Sequence, residues 1–251
     1  MSSSIWTRCA GDSRLAPLHL SAWRAVEAQH LVSTRKLVNT NEEQELLEEL
    51  IERVKPPAQA GERLHYLLFT PFRYPPLRHG SRFGSRRERG LWYGSLERRT
   101  AFAEVAYYRM VFLEGTQAAL GTLETVLTAF TAQIRTRQGI DLTAAPFDSH
   151  RRAISSPTSY ISSQALGTAM RRAGVEAFRY SSARDTAGGV NIGVFAPAAF
   201  GNSKPKSFQT WHCAASRERV DITQGDYFKR ENFAFPRAQF LVGGGLPTPA
   251  L

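Results

Sequence analysis

Glu104 is the residue best placed to do chemistry, because it is a carboxylate within an otherwise apolar helical pattern. At helical spacing it shares one face with Ala101, Tyr108 and Val111. A carboxylate in such surroundings has to be paired with a cation, hydrogen-bonded, or open to a cleft. Two interpretations follow: a buried ion pair with Arg109 or an arginine of the preceding loop, or an anion that stabilises positive charge on a reacting sugar.

An arginine-rich loop precedes this helix and is a candidate anion site. Residues 71–110 contain nine arginines and three acidic residues, and glycines within 71–87 let the backbone approach a ligand closely. A guanidinium group can bind two phosphate oxygens at once, so the loop can hold a pyrophosphate. The same composition is typical of a solvated surface, and the loop matches neither a P-loop nor a GxGxxG pattern. Tyr93, which follows it, is either a core aromatic or a ring that stacks on a planar ligand.

Two adjacent serines, Ser181 and Ser182, follow a predicted strand and precede Ala183-Arg184-Asp185. Serines at strand ends usually satisfy the backbone of a turn. The sequence contains no GxSxG pattern and no histidine at a telling spacing. This argues against a nucleophilic serine.

The sequence predicts no metal site. Cys9 and Cys213 form no CxxC pair, and the six histidines are scattered without HxH, HxxxH or HExxH spacing. Two isolated cysteines also favour a reducing compartment. No apolar run is long enough to span a membrane, and residues 1–30 lack the apolar stretch of a secretory signal. We therefore expect a cytoplasmic location.

The charge is strongly positive and unevenly distributed. The chain has a net charge of +10, with 27 arginines and 5 lysines. Residues 1–60 hold 7 basic and 8 acidic side chains, a net charge of −1, which leaves +11 for residues 61–251. Such a balance suits a polyanionic or phosphate-bearing partner, although biased genome composition also explains an excess of arginine.

The elements that must position these residues mix helix and strand without regular alternation, which favours an α+β fold. Apolar spacing predicts helices over 20–31, 40–54, 100–114 and 158–172; Thr40 with Glu43 makes a capping box, and Thr100 is the expected cap of the third helix. Strands are predicted over 63–70, 90–95, 125–135, 175–180, 190–196 and within 208–222. The glycine- and proline-rich residues 241–251 are expected to be flexible or loosely docked.

Taken in order, three blocks of the sequence resemble the RES domain, known from the toxins of bacterial RES-Xre toxin-antitoxin pairs. They are Pro71-Phe72-Arg73-Tyr74 with Gly80-Ser81-Arg82-Phe83; Gly90-Leu91-Trp92-Tyr93-Gly94 running into Thr100-Ala101-Phe102-Ala103-Glu104-Val105; and Tyr180-Ser181-Ser182-Ala183-Arg184 followed by Gly188-Gly189-Val190-Asn191. The segment from Val26 to Pro57 also resembles a leader of one RES subgroup.

The resemblance implies an ADP-ribosyltransferase-like split β-sheet core, an enzyme that consumes NAD as its substrate without a metal, and an Xre-like antitoxin as partner. It implies three domains or segments: a helical N-terminal segment over 1–60 packed on the core, the NAD-cleaving domain over 61–240, and a flexible tail over 241–251. Nucleic acid would be contacted only indirectly, through the antitoxin.

The resemblance also assigns residue roles. It implies catalytic roles for Glu104, Arg82 and Ser182, and NAD-binding roles for Arg73, Tyr74, Arg82, Tyr93 and Ser182. Arg73 and Arg82 match positions that engage the phosphates, and Tyr93 matches a ring that stacks on nicotinamide. Family members commonly have a proline just before the serine, where this chain has Ser181, so either hydroxyl is a candidate.

The sequence leaves open the acceptor of the ADP-ribose and the class of protein. The ADP-ribose product can pass to water, to phosphate or to a protein, which would make the enzyme an NAD glycohydrolase, a phosphorylase or an ADP-ribosyltransferase. The basic charge and the aromatic residues interleaved with arginine in 71–93 also fit an RNA-binding or RNA-cleaving toxin. A third hypothesis is a noncatalytic protein that binds a partner through the acidic helix at 42–54.

Overall fold

A computed structural model describes residues 4–28, 40–54, 64–74, 79–118, 120–225 and 230–248 of the chain. The helices within them are α1 (Ile5–Arg8), α2 (Asn41–Val54), α3 (Tyr66–Arg73), α4 (Arg98–Glu114), α5 (Arg151–Ile154) and α6 (Ile161–Arg172). The strands are β1 (Ala16–Glu27), β2 (Trp92–Ser95), β3 (Leu123–Asp141), β4 (Ala177–Ser181), β5 (Val190–Val194), β6 (Lys206–Ala215), β7 (Arg219–Gly225) and β8 (Arg230–Pro236). Short 3₁₀ turns occupy Gly11–Arg14, Phe147–His150, Pro197–Ala199 and Arg237–Phe240.

All eight strands belong to one mixed sheet. Their order is β1-β2-β5-β4-β3-β6-β7-β8, and β1 pairs in addition with β3. The β3–β4 pairing is parallel, whereas the other pairings are antiparallel. The prediction of a mixed helix-and-strand fold is therefore confirmed.

The long strand β3 closes part of this sheet into a ring. It pairs with β1 over residues 127–139 and with β6 over residues 123–131, so these neighbours lie on opposite edges of β3. Because β1 also meets β2, the strands β1, β2, β5, β4 and β3 form a closed circuit. The β1–β2 contact consists of the single pair Trp23↔Ser95. The ring is consequently open along most of the boundary between these two strands.

Helix α4 packs its apolar side against β6, β7 and β8. Phe102 lies edge-on to Trp211, with ring centroids 4.8 Å apart, and both side chains are fully buried. The buried helix predicted over 100–114 is thus confirmed, but it begins at Arg98. The prediction that Thr100 caps this helix is wrong, because Glu97 occupies the N-cap position. The Thr100 hydroxyl instead donates to the carboxylate of Asp185 at 2.8 Å, which ties the helix to the chain after β4.

The N-terminal segment differs from the sequence prediction. The helix expected over 20–31 is wrong, because residues 16–27 form β1 and pair along β3. The expected helical segment over 1–60 therefore contributes a strand to the main sheet. The helix expected over 40–54 is confirmed, and Thr40 and Glu43 form the reciprocal hydrogen bonds of a capping box. Residues 29–39 lie outside the described part, and the domain boundaries stay predictions.

The strand expected over 63–70 is also wrong, since residues 66–73 form α3. The ring nitrogen Nδ1 of His65 accepts a hydrogen bond from the backbone N–H of Leu67 and caps the helix. Leu67 and Leu68 are buried, whereas Tyr66 is half exposed, which is the one-sided burial of a helix. Pro71 lies inside the helix.

Most of the remaining predicted elements are confirmed. The helix expected over 158–172 is α6, and the strands expected over 90–95, 175–180, 190–196 and within 208–222 correspond to β2, β4, β5 and the pair β6 and β7. The strand expected over 125–135 is β3, which continues to Asp141, and β8 was not predicted. The described part of the C-terminal tail is docked, because Val242 and Gly245 form a bridge and the Tyr107 hydroxyl donates to the carbonyl of Pro247. Residues 249–251 lie outside the described part of the chain.

Gly167 permits a close approach between α6 and the loop that precedes β2. A Cβ atom at this position would lie 2.1 Å from the backbone oxygen of Phe83, whose buried ring packs on Phe178 and Tyr180. A glycine-to-alanine change in a helix normally stabilises by up to about 1 kcal/mol. Here the collision with backbone has to displace the loop that carries Arg82 or the helix itself.

We therefore expect Gly167→Ala to lower the free energy of unfolding by about 1–3 kcal/mol, opposite in sign to helix propensity. Chemical denaturation measures the change. Ala165→Gly at an exposed position of α6 serves as the control, with a loss near 1 kcal/mol from propensity alone. An unfolding free energy for Gly167→Ala at or above that of the wild type would contradict the close packing.

Candidate active site

A cleft of about 590 Å³ lies where β1 separates from β2, beside α4 from Ala101 to Phe112. This volume is in the range of small-molecule sites, which are roughly 300–1,000 Å³. The polar side chains and tyrosines among its lining residues include Arg24, Arg82, Tyr93, Glu104, Tyr108, Tyr160, Tyr180 and Asn191. The cleft thus brings together residues from β1, β2, α4, β4 and β5.

The carboxylate of Glu104 is held by two neutral donors. Its Oε1 atom accepts hydrogen bonds from the Ser182 hydroxyl at 2.9 Å and from the Asn191 side-chain amide at 2.6 Å. Within the described residues no ion pair reaches this carboxylate. Arg109, one expected partner, instead forms an ion pair with Glu27. The hypothesis of a buried Glu–Arg pair is therefore wrong, and Glu104 faces the cleft without a direct ion pair.

Ser182 is oriented by its own turn. Its hydroxyl oxygen accepts hydrogen bonds from the backbone N–H groups of Arg184 and Asp185, both at 3.1 Å. With these acceptor positions occupied, its proton is directed to the Glu104 carboxylate. The hydroxyl is thus arranged as a donor to Glu104 and not as a nucleophile. For Ser181, the backbone carbonyl accepts a hydrogen bond from the Ser155 hydroxyl at 2.7 Å.

Asn191 is a site residue to which the sequence assigned no role. It is buried, and its Oδ1 atom accepts a hydrogen bond from the Ser95 hydroxyl at 2.6 Å. This contact fixes the amide so that its nitrogen points at Glu104. Asn191 occurs in the third resembling block, but an asparagine within a strand has no spacing that signals a contact with a distant helix.

Asp185 anchors the turn that carries Ser182 to the start of α4. Its carboxylate accepts hydrogen bonds from the Thr100 hydroxyl at 2.8 Å and from the backbone N–H of Ala187 at 3.1 Å, and Arg99 lies 3.4 Å away. Gly189 passes directly over this contact, since a Cβ there would lie 2.0 Å from the Thr100 hydroxyl. The turn and the helix are consequently fixed relative to each other.

Tyr93 joins the wall of the cleft to the preceding loop. Its hydroxyl accepts a hydrogen bond from the backbone N–H of Phe83 at 3.0 Å and shares another with the Ser81 hydroxyl at 3.0 Å. Burial raises the pKa of Tyr93 to about 12, so the phenol stays protonated at neutral pH. Its ring lines the cleft and lies edge-on to Tyr180, with centroids 6.4 Å apart.

Arg82 is a buried cation on the same side of the cleft. Only 6% of the residue is exposed; one guanidinium nitrogen donates to the Ser156 carbonyl at 2.7 Å, and the group lies 4.7 Å from the Tyr160 ring centroid. Burial acts to lower the pKa of Arg82, but the surrounding tyrosines and Glu104 raise it above its ordinary value. The group therefore stays charged beside the cleft.

Arg24 is a second cation at the cleft, and the sequence analysis did not identify it as a site residue. One of its guanidinium nitrogens donates to the Tyr93 carbonyl at 3.0 Å, and the group lies 5.4 Å from the Trp92 ring centroid. Burial lowers the pKa of Arg24 to about 10, which still leaves it protonated at neutral pH. Its side chain bridges β1 and β2 where their backbone pairing ends.

Two residues expected at the site lie elsewhere. Arg73 is the last residue of α3, and Tyr74 follows it with 37% of its surface exposed. Neither is among the residues that line the cleft. The structure therefore brings Arg82, Tyr93 and Glu104 to the cleft and places Ser182 directly behind Glu104, but it does not bring Arg73 and Tyr74 to them.

Three further observations bear on the class of site. The described residues contain no group of three or more His, Cys, Asp or Glu side chains arranged to hold a metal ion. In the same part of the chain, no helix combines the length and the apolar character needed to cross a membrane. Both cysteines, Cys9 and Cys213, are buried and unpaired.

Comparison with known proteins places most of these residues within one family. The model of the RES domain matches residues 55–216. No curated protein matches the sequence. Among solved structures, a chain in the crystal structure of the M. tuberculosis MbcT-MbcA toxin-antitoxin complex is similar, with a TM-score of 0.46 and 13% sequence identity over 81% of this chain and 88% of that chain. Because the RES model covers more than half of the sequence, this chain belongs to the RES domain family.

Proposed function

We propose that this protein consumes NAD by cleaving the bond between nicotinamide and ribose, and that it acts as a toxin. The observation that carries the proposal is the Glu104 carboxylate, which forms no direct ion pair in the described chain and faces a cleft with the buried cation Arg82. Membership of the RES domain family supports the same chemistry.

Glu104 supplies the negative charge that the reaction needs. When the C–N bond breaks, its electron pair goes to the nicotinamide ring, which leaves as a neutral molecule, and positive charge develops on the ribose. Ser182 and Asn191 hold Oε1 of Glu104 in place, and Oε2 is then available to stabilise that charge or to bind the ribose hydroxyls. The acceptor that attacks the ribose loses its proton in the same sequence of steps.

The arginines and Tyr93 hold the rest of the substrate. Arg82 provides a planar cation for the pyrophosphate, and the Tyr93 ring provides a surface on which nicotinamide stacks. Tight binding of the remote part of the dinucleotide positions the reacting bond. Arg73 and Tyr74 remain candidates for supporting contacts to the ligand from outside the cleft.

The wider assignments follow from the family. We propose an ADP-ribosyltransferase-like core, which the separation of β1 from β2 supports. We also propose that the chain acts in the cytoplasm and that an Xre-like antitoxin neutralises it, so that nucleic acid is contacted only through that partner.

The acceptor of ADP-ribose is water, phosphate or a protein. Identifying by mass the products formed from NAD distinguishes these three acceptors. The RNA-binding or RNA-cleaving alternative stays a hypothesis, because Arg86, Arg87 and Arg89 of the same loop are exposed; RNA binding that weakens steeply with salt, without loss of NAD, would favour it.

Glu104→Gln should abolish the loss of NAD without unfolding the protein. The amide keeps an oxygen that can accept from Ser182 and Asn191, but it removes the negative charge. We expect turnover to fall by about 100-fold or more, the size found for lost electrostatic stabilisation in active sites. NAD consumption and thermal unfolding are measured together, with the exposed Glu124→Gln as a charge-matched control. Wild-type turnover in a folded Glu104→Gln protein would contradict the assignment.

Ser182→Ala should reduce turnover much more than Ser181→Ala. The Ser182 hydroxyl makes three hydrogen bonds, one of them to Glu104, so its removal should cost on the order of 1–3 kcal/mol, or roughly 10- to 100-fold in rate. Residual activity should persist because the hydroxyl is not a nucleophile. Steady-state turnover of the two alanine variants provides the comparison, and a larger loss for Ser181→Ala would reverse the assignment.

Arg82→Lys should weaken NAD binding although the net charge is unchanged. Lysine loses the planar fork that grips two phosphate oxygens and the stack on Tyr160. We expect affinity to fall about tenfold, measured by calorimetric titration of NAD in a Glu104→Gln background that stops turnover. Arg86→Lys, exposed in the same loop, is the matched control. Equal NAD affinities for the Arg82→Lys protein and its parent would exclude a bidentate phosphate contact.

A further inference from the structure

Two large aromatic side chains stand exposed on α4 at the mouth of the cleft. Tyr108 is 54% exposed and Phe112 is 58% exposed, whereas the helix buries its other aromatic residues, Phe102 and Tyr107. Both exposed rings line the same cleft as Glu104. Adjacent exposed aromatic rings at a cavity mark a binding surface for an apolar or planar group.

The spacing of these residues extends the site along the helix. Glu104, Tyr108 and Phe112 follow one another at intervals of four residues, so they form one stripe on α4. The separation of eight positions between Glu104 and Phe112 corresponds to about 12 Å along the helix axis. The cleft therefore has a polar end at the carboxylate and an aromatic end about two turns away.

Contacts fix both the ring of Tyr108 and the wall opposite it. The Tyr108 hydroxyl lies 3.4 Å from that of Tyr160, and its ring lies edge-on to Tyr107, with centroids 5.1 Å apart. Across the cleft, the ion pair between Arg109 and Glu27 joins α4 to β1. The aromatic end is consequently a preformed slot between a helix and a strand.

We propose that Tyr108 and Phe112 form the subsite for the purine ring of the substrate. This inference rests on the proposed function and deepens it: with the reacting ribose at Glu104, the adenosine half of a dinucleotide extends along α4 to the exposed rings. A purine presents a flat π face, and aromatic side chains bind such faces by stacking. The aromatic end thereby selects a dinucleotide over a mononucleotide that carries only nicotinamide and ribose.

Phe112→Leu and Tyr108→Leu test the proposal, because leucine keeps apolar bulk but removes the ring. Each change is made in the Glu104→Gln background and titrated calorimetrically with NAD, with adenosine monophosphate, and with nicotinamide mononucleotide, which lacks the adenosine half. Phe208→Leu is the control, since Phe208 is 54% exposed on β6 and is not a lining residue of the cleft. Thermal unfolding shows whether each variant is folded. If Tyr108→Leu is unfolded, the affinities of Phe112→Leu decide the test.

We expect the affinities for NAD and adenosine monophosphate to fall about three- to tenfold, the size of an aromatic stacking contact, while that for nicotinamide mononucleotide stays unchanged. Two results would overturn the proposal: an equal loss of affinity for all three ligands, or an affinity for adenosine monophosphate that neither substitution changes. The exposed rings would then be a candidate contact for a protein partner. If the wild type consumes no NAD yet binds adenosine monophosphate through these rings, the subsite stands and the proposed reaction fails.

Discussion

The half-buried carboxylate of Glu104 is the constraint on which the arrangement of this site depends. A carboxylate on a largely apolar helix needs polar partners, and no residue of the described chain forms a direct ion pair with it. The two donors that satisfy Glu104, Ser182 and Asn191, come from the two ends of the connection between β4 and β5. Helix α4 therefore has to dock against this connection, and the bond from Thr100 to Asp185 fixes the same contact a turn earlier.

The arginines near the cleft are held by neutral groups, so their positive charge is not cancelled. Arg24 and Arg82 donate to backbone carbonyls and lie against aromatic rings, and Arg184 does the same with Pro157 and Tyr107. In the part of the chain that the structure describes, none of the three forms an ion pair. A carbonyl satisfies an N–H group without neutralising the cation. The site is thus suited to an anionic ligand that supplies the missing negative charge.

The sequence predicted site residues whose surroundings come from neighbouring positions in the chain. It missed residues whose role depends on contacts between distant helices and strands. Glu104 stood out because its own helix is apolar, whereas the role of Asn191 depends on a contact with a distant helix. Burial alternates along residues 17–22 of β1, but residues 23–26 are all half-buried, so the alternation typical of a strand ends within the range for which a helix was predicted. In α3, the cap from His65 and the burial of Leu67 and Leu68 outweighed an aromatic pattern typical of a strand.

The N-terminal strand belongs to the site, although the family model begins at residue 55. β1 covers one edge of β3 over residues 127–139, and without it that edge would present unpaired backbone groups. The strand also supplies Arg24, whose guanidinium holds the Tyr93 carbonyl where the backbone pairing of β1 and β2 ends. The opening between β1 and β2 is therefore bounded by a side chain and not by a ladder of hydrogen bonds. Such a boundary leaves room for a ligand while keeping the two strands in register.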